Sequence, residues 1–497
     1  MLHTGRRSSV DSPTSQASPS GLSGPASGSL LVLLPDTEAR DTYEYASDDE
    51  GDEEDNLEPE TRKLSIPPLP PSVVFLYLLS PYLRLGAMYI PDGNLPFNYG
   101  LATLTIAALL SAFCRHIWFL LGRYLHKDTA EDILVETFTW SRDKGREHVF
   151  ARRTISSIVG LFRVSLASLY LRDSVDCVLP FVPETTPLRS RLSASVFLGF
   201  LVLLSTSRSL ATKQAIYTTT VSLASYMAWL IAVSHAYATY GLPRSSNLPQ
   251  RGVLWNEISS IAFACTTTLT LPLSASLAAG RTTMPASQNE GAKAFQILNT
   301  SSTVLAAMLM LPLVLFASSS SNPETSGSTP GLLLSLLRMA TLMMSVPTVV
   351  VSTPALPLPQ VIHHVTVVDP SRIIVTCAIV ALSLTSSSIV YIINDAVLFL
   401  AVSGTFLLPA LTHIIIHYFR RPLSIVVPQI SSSLSRVLQS SQSRPSSPDP
   451  LLRRKERLLQ RRRLGERLLW DFGIWIILLP ACGCALVWAA GRLALQW

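Results

Sequence analysis

Between residues 71 and 494 the chain passes through eleven stretches that stay apolar long enough to approach the width of a bilayer, and this series constrains the fold more than any single motif. They fall at about 71–90, 99–122, 154–172, 192–207, 214–239, 253–279, 296–317, 331–353, 371–389, 391–418 and 468–494. A helix needs roughly 20 apolar residues to cross the hydrocarbon core. The fourth stretch is short and the ninth and tenth nearly touch, so ten or twelve crossings also fit the pattern. The chain is 48% hydrophobic and only 14% charged, against about 25% charged in an average soluble domain. The expectation is an all-α polytopic membrane protein with about 11 transmembrane helices.

The charges report orientation. The loop after the second stretch carries Arg123, Lys127, Arg142, Lys144, Arg146, Arg152 and Arg153, and the densest basic run, 451–469, follows the tenth. Loops after the fourth and sixth stretches add Arg208, Lys213, Arg281 and Lys293, whereas 318–330 has no Lys or Arg. Arg244 and Arg251, after the fifth, dissent. Basic residues collect in cytoplasmic loops, so this alternation favours a cytoplasmic N-terminus and eleven crossings. The basic residues flank spans, which argues for topology and lipid contact rather than nucleic acid.

Four regions follow. Residues 1–68, ending in the acidic run 47–60, read as a disordered cytoplasmic tail. Residues 69–418 hold crossings 1–10, 419–467 form a Ser/Pro-rich basic cytoplasmic loop, and 468–497 hold the eleventh. Tail and loop are candidate sites for cytoplasmic partners. The apolar patch 30–35 is too short for a signal-peptide core, so the first crossing is expected to direct its own insertion. The lack of usable sequons on the far side suits a vacuolar or other endomembrane location, and the plasma membrane equally. Five of the six cysteines (114, 177, 265, 377, 482 and 484) fall inside apolar stretches and read as small buried hydrophobes.

Two crossings are interrupted by sequence. In the first, Gly86 and Pro91 bracket Ala87-Met88-Tyr89-Ile90, with Arg84 just upstream and Asp92-Gly93-Asn94 beyond. In the sixth, Thr266, Thr267, Thr268 and Thr270 lie beside Pro272. Backbone at membrane depth leaves the helix only where protein or water satisfies its polar groups. Paired breaks five crossings apart are what a 5+5 inverted repeat places at a solute site. Proline kinks and threonine back-bonding are also ordinary in membrane helices.

These segments resemble the amino-acid/auxin permease family of the amino acid–polyamine–organocation superfamily. Gly86-Ala-Met-Tyr-Ile-Pro91 is similar to the core of its first helix, and Gly100-Leu-Ala-Thr-Leu with the following span to its second. The segment 131–146 is similar to the loop that follows, Ile261-Ala-Phe-Ala-Cys265 to the start of its sixth helix, 332–359 to its eighth and 394–414 to its tenth. The resemblance implies a LeuT-type 5+5 inverted repeat plus one C-terminal helix, and secondary transport of amino acids or related small solutes. It implies H+ or Na+ as coupling ion and no other cofactor. It also implies that Gly86, Ala87 and Pro91 at the first break, with Cys265, Thr266 and Thr267 at the second, offer backbone amides and hydroxyls to a zwitterion. Arg84 departs from the pattern, standing where the family has glycine, so it would pair with a solute carboxylate or plug the site. In the second case the chain is a receptor or scaffold that keeps the fold without transport.

An arginine at a helix centre costs about 2.5–3.5 kcal/mol, so the remaining charged residues in apolar stretches need partners. Arg115 and His116 are near enough to the cytoplasmic end to snorkel. Arg163 lies near mid-span, Arg338 lies within the eighth stretch, and Asp395 is placed to pair with a cation or cap a helix. Enzyme signals are weak: His364 and Asp369 have the spacing of an acyltransferase motif without its companions, and His363-His364 lacks further metal ligands. No catalytic residue and no metal site is expected.

Overall fold

A computed structural model describes residues 66–93, 95–139, 146–181, 187–207, 209–240, 251–267, 269–279, 288–317, 329–354, 370–416 and 472–493. The acidic tail up to residue 65, the 419–467 loop and the His363–Asp369 stretch lie outside the described residues. Among the described residues every regular element is helical. In chain order they are α1 (Pro71–Leu79), α2 (Leu85–Tyr89), α3 (Phe97–Leu125), α4 (Ala130–Phe138), α5 (Arg146–Val178), α6 (Pro187–Ser205) and α7 (Lys213–Tyr240). Then come α8 (Arg251–Ala264), α9 (Thr270–Ala279), α10 (Gln288–Ala317), α11 (Thr329–Ser352), α12 (Pro370–Ser383), α13 (Ser387–Val402), α14 (Leu408–Ile414) and α15 (Leu479–Leu493).

Among the described residues seven helical runs are long and apolar enough to cross a membrane: 71–89, 97–125, 147–181, 213–239, 291–317, 331–352 and 387–414. They coincide with the first, second, third, fifth, seventh, eighth and tenth expected stretches. The fourth and ninth are shorter apolar helices, Ser190–Ser205 and Pro370–Ser383, and the sixth is divided between α8 and α9. Outward faces are apolar too: Leu109 is 66% exposed, Phe197 64% and Ile231 66%. Faces like these would aggregate in water and suit hydrocarbon. The chain is an all-α protein built to sit in a membrane.

Lipid gives apolar side chains no reason to leave it, so small and hydroxylic residues hold the helices together. Ser222 of α7 donates to the Thr341 carbonyl of α11 at 2.9 Å and meets Ser345 Oγ at 2.9 Å. Asn299 of α10 is buried and donates to the Ala112 carbonyl of α3 at 3.2 Å. The sequon it opens is therefore closed to glycosylation in the folded chain. The cysteine expectation is corrected in part. Cys114 and Cys265 are buried, but Cys377 and Cys484 are exposed on apolar helix faces, where lipid rather than protein would cover them.

The packed pairs are specific. α2 lies on α8 and α1 on α9; α7 and α5 both lie on α11; α1 meets α10 and α7; α3 meets α8, α9 and α10. On the other side of the bundle α12 packs on α5 and α6, α6 on α11, and α13 on α5, α8 and α15.

Candidate functional site

The first break lies earlier than Gly86 and Pro91 suggested. Pro81 has no N–H to give the Tyr77 carbonyl, so α1 tightens into a 3-10 turn, Ser80–Leu83. Arg84 is then extended (φ −113°, ψ −150°) and α2 restarts at Leu85. Gly86 is inside α2, and Pro91 lies in the turn beyond it. The glycine serves a close crossing: a Cβ there would stand 2.6 Å from Ala264 Cα and 2.7 Å from Ala264 N. Thus the two broken helices meet backbone to backbone, at the last residue of α8.

The second break is where the threonines were expected, between Ala264 and Thr270, with Pro272 in the first turn of α9. Its exposed backbone groups are taken up by neighbouring hydroxyls. Ser111 of α3 donates to the Cys265 carbonyl at 2.8 Å and also meets Tyr82 Oη at 2.9 Å. Thr405 Oγ1, in the π-helical turn Ser403–Leu407, accepts from Thr267 N at 3.2 Å. Thr266 bonds back to the Phe263 carbonyl at 2.8 Å. Replacing Ser111 by alanine leaves a buried carbonyl short of a donor and is expected to cost about 1–3 kcal/mol, read as a lower Tm of the detergent-solubilised protein.

Arg115 does not snorkel. It is 1% exposed, donates to the Leu78 carbonyl at 2.7 Å and to Ser302 Oγ at 3.3 Å, and stacks 4.4 Å from the Tyr82 ring centre. A cation suits the carbonyl end of a helix, and α1 ends one residue later, so Arg115 caps the first broken helix.

Two cavities adjoin the breaks. One of about 30 Å³ is lined by Arg84, Gly86, Arg163, Tyr170, Thr266 and Thr348, among others. Arg84 Nη2 donates to Thr348 Oγ1 at 2.8 Å and to Ser80 Oγ at 3.1 Å. The other, of about 500 Å³, runs past Arg163, Thr267, Pro272, Ser352 and Thr405 to Thr129 and Glu131 of α4. Phe162, Arg163, Leu269 and Ser352 line both and divide them. α4 is set in place by Thr129, which caps it by accepting from Asp132 N at 3.2 Å. Of the seven residues singled out from sequence, Arg84, Gly86 and Thr266 line the smaller cavity and Thr267 the larger. Cys265, Ala87 and Pro91 line neither; the first two are fully buried in packing. Among the described residues no cluster of His, Cys, Asp or Glu is arranged to hold a metal ion.

Burial raises the Glu131 carboxyl above its ordinary 4.5, with Arg163 opposing. The fold therefore favours the protonated acid. That stabilisation is complete below the ordinary value and is lost as pH rises through the raised one. Glu131→Gln is expected to flatten the fall in Tm as pH rises above the ordinary carboxyl value.

Just past α2, near the C-terminal end of α5, an ionic cluster ties three helices together. Buried Arg338 of α11 reaches Asp173 Oδ2 of α5 at 3.2 Å and Asp92 Oδ2 at 3.4 Å. Tyr89 Oη donates to Asp173 Oδ1 at 3.3 Å, and Glu257 of α8 lies against Gly93. Asp395 pairs with Arg492 of α15 at 2.9 Å. The sequence pointed to Arg163, Arg338 and Asp395 only as charges needing partners. Ser111, Tyr170, Thr348 and Thr405 carried no signal, being ordinary hydroxyls in apolar runs. No family model and no curated protein matches the chain.

Proposed function

We propose that the chain is a secondary transporter, an integral membrane carrier for an amino acid or related small solute, of the amino-acid/auxin permease kind. The observation that carries this reading is the pair of interrupted helices crossing at Gly86 and Ala264, with a cavity of about 500 Å³ reaching the second break. Broken helices beside a cavity are the usual construction of a carrier's mid-membrane site.

The packing supports a repeat of five. Adding or subtracting five from the crossing number carries α1–α9 into α2–α8, and α7–α11 into α5–α13. It likewise carries α5–α12 into α6–α11, α1–α10 into α3–α8, and α1–α7 into α8–α13. A 5+5 arrangement with one added C-terminal helix accounts for these pairs. On this reading the larger cavity faces the cytoplasm beside α4, and the Arg338 cluster is the closed outer gate. A proton or sodium gradient drives the cycle.

The reading is tested by uptake of a labelled amino-acid panel into proteoliposomes, with and without imposed pH or sodium gradients. Gradient-dependent accumulation is expected. The second reading, a receptor that keeps the fold without transport, is favoured by one feature: Arg84 lies across the first break on two hydroxyls. Binding of solute with no accumulation under either gradient selects it.

A further inference from the structure

Building on the carrier reading, we infer that the solute is a small organic anion whose carboxylate docks between Arg84 and Arg163. Both arginines line the cavity of about 30 Å³ at the first break. Arg84 is 7% exposed, and its hydrogen bonds run from Nη2 to the neutral hydroxyls of Ser80 and Thr348. Its Nε is buried without an acceptor, and so is that of Arg163. No Asp or Glu is among the described residues lining this cavity. Glu131 lies on the far side of Arg163, in the larger space.

Of these two buried cations Arg84 has no carboxylate among its neighbours, and Arg163 has only Glu131, which lines the larger cavity and not this one. A carboxylate between them would supply charge and acceptors for both planar forks. The space suits it. About 30 Å³ is the room of one or two waters, enough for a carboxylate head and little more. The remainder of the solute would pass Phe162 and Leu269 into the larger cavity. Tyr170 and Thr348 add hydroxyls at the head.

Recognition has thereby moved off the backbone. The groups that a zwitterion would use at the second break are occupied, the Cys265 carbonyl by Ser111 and the Thr267 N–H by Thr405. Two cations and no acid among the described residues of this lining favour a net negative solute over a zwitterion.

The test is equilibrium binding of labelled succinate to the full chain in lipid nanodiscs at neutral pH. Competitors are L-alanine, the uncharged diamide of succinate, and inorganic phosphate. Succinate is expected to bind and to be displaced poorly by the diamide and by alanine. Arg84→Gln and Arg163→Gln should each weaken it about tenfold or more, since each removes charged hydrogen bonds. Arg84→Lys should lose less, and this graded pair guards against a glutamine variant that fails to fold. Competition by the diamide as strong as by unlabelled succinate overturns the proposal, and so does equal succinate binding by wild type and Arg84→Gln. Displacement by phosphate better than by any carboxylate assigns the pair to an inorganic anion and overturns the organic solute. Accumulation of alanine in vesicles, unchanged by Arg84→Gln, leaves the carrier standing and removes only the anion site. Succinate binding that depends on Arg84, without flux of any solute, keeps the site and removes the carrier.

Discussion

Gly86→Val is expected to leave little or no monodisperse protein. A Cβ at this position would come within 2.6 Å of Ala264 Cα, and the neighbour is backbone that cannot rotate away. The only relief is separation of α2 from α8, which opens the crossing on which both broken helices depend. Overpacking a tight interior commonly costs about 1–3 kcal/mol, and a clash with main chain belongs at or beyond the upper end. Gly86→Ala should show the same defect in milder form. Ala264→Gly should not rescue either variant, because it removes a methyl group and leaves the Cα and N in place. Fluorescence-detected size-exclusion chromatography with a thermal ramp reads all of these. Wild-type stability in Gly86→Val would mean that the two helices do not cross there.

Arg338→Met is expected to be the most damaging single change among the charged residues. It leaves the partly buried Asp173 without its cation; removing one member of a fully buried pair costs about 3–5 kcal/mol, and the cost here falls below that to the extent that water reaches the carboxylate. The cost should fall mainly on Asp173, whose side chain is 18% exposed, because Asp92 is 39% exposed and water can take it up. A double-mutant cycle should therefore find larger coupling between Arg338 and Asp173 than between Arg338 and Asp92. The Arg338→Met, Asp173→Asn double variant should recover much of the loss, having no buried charge left to strand. Equal coupling to both aspartates, or none, would show that Asp173 is not the carboxylate that depends on Arg338.

Most of the helices could be read from the sequence because membrane depth demands long apolar runs, and a run of 29 residues such as α3 leaves no other choice. The sixth crossing was legible for the opposite reason: four threonines and a proline spoil the helix where it breaks. The first break was misplaced toward Gly86 and Pro91. Those residues look like helix breakers, yet Pro81 and an extended Arg84 interrupt the chain, and Gly86 is helical because α8 needs its bare surface. Arg115 was misread because snorkelling depends on depth alone, whereas its partner, the Leu78 carbonyl, exists only because α1 stops there. Thr348, Ser111 and Thr405 become functional candidates through contacts 138 to 264 residues away in the chain. Spacing along one helix holds no trace of such contacts.

On the carrier reading, the crossing at Gly86 and Ala264 lies on a pathway open alternately to the two sides. Counterflow in proteoliposomes tests this most directly, because exchange needs alternating access and no knowledge of the coupling ion. Vesicles loaded with unlabelled succinate and diluted into labelled succinate should show a transient overshoot of internal label, and Arg84→Gln should lose it. Specific binding of succinate with no exchange across the bilayer would rule out alternating access at this crossing.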